Sequence, residues 1–91
     1  MSDWLHFDLE INKDSKVSVR RAVENIWGKG EVSVTEDFVY HNGNITFKVF
    51  HVSTSQGGVQ RLQEVSTLLD NIKSIDNKSN PIITITNLVV Y

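Results

Sequence analysis

The 91-residue chain has no cysteine. Disulfides, thiolate nucleophiles and thiolate metal ligands are therefore excluded. It has one proline, and alanine occurs only at Ala22. Neither sign of charge dominates: nine Lys and Arg stand against eleven Asp and Glu, for a net charge of −2. Such a balance argues against general electrostatic attraction to nucleic acid or anionic lipid. No apolar run approaches the length of a membrane span. The opening "MSDWLHFD" lacks a basic segment followed by an apolar one, so no signal peptide is expected. These absences lead to an expectation of one domain over residues 1–91, cytoplasmic and not membrane-bound. The bias toward Asn, Ile, Val and Ser suits an AT-rich gene, as in many phages and low-GC bacteria.

The remaining sequence is strongly periodic. "WLHFDLEI" alternates, with Leu5, Phe7, Leu9 and Ile11 on one side and Trp4, His6, Asp8 and Glu10 on the other. That pattern predicts a half-buried strand. In "KVSVRRAVENIWGKG" the period changes: Val19, Ala22, Val23 and Ile26 fall on one helical face, and Gly28 supplies the stop. "EVSVTEDFVYH" and "NITFKVFHVS" flank Asn42-Gly43 and predict a hairpin. A two-residue turn there pairs Tyr40 with Ile45 and Phe38 with Phe47, a mainly apolar set expected to face the core. Glu36 is the misfit in that set. Either a bulge at "TED" turns it outward, or it is an inward charge guarding an edge strand. "VQRLQEVSTLLDNIKSI" predicts a second helix, with Val59, Leu62, Val65, Leu69 and Ile72 on one face. "PIITITNLVVY" predicts a last strand, with Ile83, Ile85 and Val89 inward.

The order β-α-β-β-α-β is that of the ferredoxin-like split βαβ unit. Right-handed crossovers give an α+β fold with an antiparallel sheet in the order 4-1-3-2 and two helices on one face. The other sheet face is left open. On this register Trp4, His6, Phe50, Val52, Leu88 and Val90 form an apolar patch on the open face. Patches of that kind mark interaction surfaces. The tip of the long hairpin at 38–47, with Tyr40 and Asn42, is a second candidate surface.

Other chemistry is sparse. Alternation places His6 and His51 on opposite faces, and His41 lies at the far end of the sheet, so no metal site or cofactor is expected. "HVSTSQGGV" offers Ser55 as a helix cap, with Gly57 and Gly58 as a weak anion-binding junction. It lacks the P-loop lysine and the Rossmann glycine spacing. No nucleophile–base pair or convergent carboxylates can be located, so an enzyme is not expected. The first expectation is a non-enzymatic module that binds a protein, a second copy of the chain included. A phage-encoded inhibitor of a host system would fit this size and composition.

The element order is similar to that of RNA-recognition motifs, which stack bases on the first and third strands. That resemblance implies single-strand binding on Phe50 and Trp4. The basic-aromatic signature of the family is missing from "NITFKVFHV", and Asp8 and Glu10 acidify the first strand, which weighs against nucleic acid. The order, and "KDSKVSVRRAVENIWGKG" more faintly, also resembles ACT-like domains and so implies a small-ligand sensor. The characteristic loop of that family is absent.

Overall fold

The computed structural model describes residues 4–55, 62–75 and 81–90. The elements follow the order β1 (Leu5–Asn12), α1 (Val19–Trp27), β2 (Val32–Asn42), β3 (Ile45–Thr54), α2 (Gln63–Ile75) and β4 (Ile83–Val90). The four strands make one sheet in the order β2-β3-β1-β4, with every pairing antiparallel. Read from the other edge, this is the expected 4-1-3-2.

Both helices join one core with the odd-numbered residues of β1. Leu5, Phe7 and Leu9 are wholly buried, together with Val23 of α1 and Leu68 and Ile72 of α2. Ser18 caps α1 by accepting from the Arg21 N–H, and Gly28 ends it at φ +99 with its own N–H donating to the Glu24 carbonyl. Arg20 donates from Nη2 to the Val34 carbonyl at 2.8 Å, tying α1 to edge strand β2. The buried face of α2 runs through Val65, Leu68 and Ile72, with Leu62 packed against it. Val59 lies outside the described residues.

The hairpin differs from expectation in three linked ways. Its turn is Gly43-Asn44, because Asn42 pairs with Ile45. Gly43 has φ +64 and Asn44 has no positive φ. Glycine with positive φ in the first central position is the type II′ arrangement, whose twist suits a hairpin. Second, the register slips between Glu36 and Val39, so Asp37 and Phe38 together oppose Val49. This β-bulge follows Glu36 and does not turn it outward, so Glu36 is the charge on the inward side of an edge strand. Glu36 pairs with Phe50 on the helix side and reaches Lys48 at 3.9 Å, exposed at the rim.

Third, β3 is turned over relative to expectation. Phe7 pairs with Val52 and Leu9 with Phe50, so the even residues of β3 face the helices. Phe47, expected inward, lies on the open face, and so does Val49. The expected patch of six residues therefore does not form. Val52 is wholly buried in the core, and Phe50 packs against it. Val90 also packs against the core, opposite Leu5. A second bulge in β4 explains this, because the register slips between Asp8↔Thr86 and His6↔Val89. Asn87 occupies that bulge at φ +53, a left-handed conformation that Asn tolerates better than most residues. Val89, expected inward, thereby turns to the open face.

Candidate functional site on the open sheet face

The open face is built by alternation. β1 contributes His6, Asp8 and Glu10; β3 contributes Phe47, Val49, His51 and Ser53 opposite them. At its centre, three strands and the β2 bulge converge on Asp8. Asp8 is only 8% exposed, although it lies on the sheet face away from α1 and α2. Oδ1 accepts from His51 Nδ1 at 2.5 Å, and Oδ2 accepts from Asn87 Nδ2 at 2.7 Å. His6 Nε2 stands 3.6 Å from Oδ1. The far nitrogen of His51, Nε2, donates to Asp37 Oδ2 at 2.7 Å.

His51 is thus clamped between two carboxylates. Both ring nitrogens must donate, which requires the imidazolium form. Its pKa is raised, first by the hydrogen bond to Asp8 and then by that to Asp37. Burial pushes the Asp8 carboxyl up, but the bonds from Asn87 and His51, with the charges of His51 and His6, outweigh it and hold the pKa below the ordinary value. A fully bonded imidazolium is not a free base. Within this arrangement, His51 can move a proton only if Asp8 or Asp37 lets go.

His6 and His51 were expected on opposite faces. They lie on the same one, with ring centroids 6.4 Å apart and planes 16° from parallel. The inversion of β3 is the cause. One nitrogen from each ring and an oxygen of Asp8 lie within 4.8 Å of one another. His41 is elsewhere, sharing a 2.9 Å hydrogen bond with Thr46 near the turn.

An aromatic plate flanks the polar centre on the hairpin side. Tyr40 stacks on Phe47 at 5.3 Å, and Phe38 lies 6.3 Å from Tyr40. Tyr40 donates its hydroxyl to Glu10 Oε2 at 2.7 Å, and its pKa is raised, chiefly by that bond. At the opposite end Trp4, Leu88 and Val89 are exposed. Of the residues expected to contact a partner, Trp4, His6 and Tyr40 are on or beside this face, and Leu88 is exposed within the β4 bulge. Asn42 is exposed and flanks the turn. The hairpin tip projects little, because β1 accompanies β3 as far as Phe47 and Lys13 N–H donates to the Thr46 carbonyl. Ser55 is not the cap of the described α2, which begins at Gln63. Gly57 and Gly58 lie outside the described residues.

Asp8, Asp37, His51 and Asn87 were not assembled from the sequence. The signal available was His6-x-Asp8 on the outer face of β1, needing only the correct parity of β3 to meet His51.

No family model matches the chain, and no curated protein matches it. Among solved structures it is similar to "De novo designed protein Foldit4", with a TM-score of 0.52 and 14% identity, over 97% of this chain and 96% of that one. A likeness at that identity speaks to the fold alone. Among the described residues, no helix is long and apolar enough to cross a membrane.

Proposed function

We propose that the chain is a non-enzymatic, ferredoxin-like interaction module that binds a protein partner through the open face of its sheet. The observation that carries this reading is the composition of that face. A pre-paired polar centre at Asp8 and His51 is flanked by exposed apolar side chains at both ends: Phe38 at 51%, Trp4 at 43% and Val89 at 41% exposure. An apolar surface with satisfied polar groups suits protein contact, because few charges must be desolvated without a partner. Both edge strands carry bulges, which disfavour edge-to-edge strand addition and leave the face as the better surface.

A second copy of the chain is the simplest partner, since two-fold dimers are the commonest assemblies. A phage-encoded inhibitor acting on a host protein in the cytoplasm fits the size and amino-acid composition. Asp8, Glu10 and Asp37 would repel phosphate along the same face, and Phe50 is turned away from it. These features support protein over single-stranded nucleic acid.

The test uses light scattering and capture from a host lysate, comparing wild type with Phe38→Asp plus Val89→Asp. Ile75→Asp, exposed at the end of α2, is the control. Loss of self-association or capture in the face variant alone supports the reading. Equal behaviour of all three proteins refutes it.

A further inference from the structure

We infer that His6, Asp8 and His51 form a binding site for a divalent transition-metal ion, with zinc the best match. Zinc takes His nitrogen and carboxylate oxygen at about 2.0–2.2 Å, so its ligand atoms stand about 3.3 Å apart. His6 Nε2 and Asp8 Oδ1 are 3.6 Å apart. The candidate ligand atoms of all three residues lie within 4.8 Å of one another. His51 Nδ1 and Asp8 Oδ1 are closer than this, at 2.5 Å, because a proton lies between them. The ion takes the place of that proton, which is released to solvent, and the two groups separate by about 1 Å to admit it.

The surroundings favour a metal over a bare ion pair. A metal-bound histidine usually donates its other ring N–H to a carboxylate, which fixes the ring. His51 already does this, from Nε2 to Asp37 at 2.7 Å. Ligating carboxylates are themselves oriented by hydrogen bonds, and Asn87 holds the second oxygen of Asp8 at 2.7 Å. The charges also balance: Asp8 and Asp37 together offset a doubly charged ion when His51 is a neutral ligand. Two histidines and one carboxylate from adjacent strands leave further coordination positions facing solution. Such a set excludes calcium and magnesium, which prefer all-oxygen shells.

The experiment uses the full chain, stripped with chelator and dialysed, then titrated with Co²⁺ and Zn²⁺. Wild type is expected to develop the visible bands of four- or five-coordinate Co²⁺ at one equivalent, bleached by Zn²⁺, and to gain thermal stability with Zn²⁺. Asp37→Asn should weaken Zn²⁺ binding by about 10–100-fold. His6→Ala should weaken it further. Its side chain is partly exposed, its ion pair with Asp8 is long and its ring lies 6.4 Å from that of His51, so the fold survives its loss, as circular dichroism will verify. His41→Ala should bind as wild type does. Absence of Co²⁺ bands and of a Zn²⁺-dependent shift in wild type would overturn the site, as would undiminished binding by folded His6→Ala. The measurement needs no partner protein, so its outcome is separate from that of the docking face.

Discussion

Asn87 ties the β4 bulge to the polar centre, and two substitutions separate its contributions. Its backbone sits at φ +53, and its side chain donates to the nearly buried Asp8 at 2.7 Å. A hydrogen bond to a charged group contributes about 1.5–3 kcal/mol net. Asn87→Gly removes this bond while keeping the conformation accessible, so about 1.5–2.5 kcal/mol should be lost after some relief of backbone strain. Asn87→Ala removes the same bond and leaves a Cβ in the left-handed region. That placement adds about 1 kcal/mol more. Urea denaturation followed by far-UV circular dichroism reads the order wild type, then Gly, then Ala, with unchanged m-values. The Asp8 carboxyl should also titrate higher in both variants, because one of the bonds holding it down is gone. Ala as stable as Gly would refute the left-handed bulge. Gly as stable as wild type would refute the bond to Asp8.

Val52→Ala should destabilise by about 2–3 kcal/mol, from two buried methyl groups and the cavity they leave, whereas Leu88→Ala should change stability by less than about 0.5 kcal/mol. Equal effects in thermal melts would contradict the orientation of β3. Stability in metal-free buffer should be greatest between about pH 4 and 6.5. The folded pKa of His51 is raised above 6.5, so its contribution is complete below 6.5 and is lost as pH rises through the folded value. That of Asp8 is lowered below 3.8, so its contribution is complete above 3.8 and is lost as pH falls through the folded value. A melting temperature in His51→Gln that declines above pH 6.5 as steeply as in wild type would count against this assignment. Ultraviolet titration should show one tyrosine ionising above the ordinary range, returning toward it in Glu10→Gln.

Element order, sheet order and the inward face of β1 were all readable in the sequence, for identifiable reasons. β1 alternates without exception, and α1 has apolar residues on one face with a glycine after it. The face of β3 was not readable. "TFKVFHV" carries apolar residues on both parities, with Phe47 and Val49 on one and Phe50 and Val52 on the other. Hydrophobic patterning settles register only where one face is clearly polar. The partners across β1 decide it here, because the core needs side chains opposite Phe7 and Leu9 on the helix side. The β4 bulge was equally hidden: Asn87 interrupts the alternation of "ITITNLVV", but a polar residue in an edge strand does not by itself announce an inserted residue.

The β2 bulge links the fold to the site. Without an extra residue at Asp37–Phe38, Val34 and Tyr40 would have to share a face. Val34 could then cover the core only by carrying Tyr40 and Phe38 to the helix side. With it, Val34 packs against the helices opposite Val52, while Tyr40 stacks on Phe47 on the other side of the sheet. Asp37, the first residue of the bulge, shares the open face with Tyr40 and bonds His51. Bulges re-aim side chains in this way and recur beside functional sites. Deleting Phe38 removes the inserted residue together with an exposed ring. It restores plain alternation, with Val34, Glu36 and Val39 on the helix side and Asp37 and Tyr40 on the open side, so Val34 stays opposite Val52 and Asp37 stays on the face of His51. The variant should therefore keep Val34 in the core and the raised pKa of His51; a His51 pKa back at its ordinary value would show that the bulged geometry itself, and not only the face Asp37 occupies, holds the pair together.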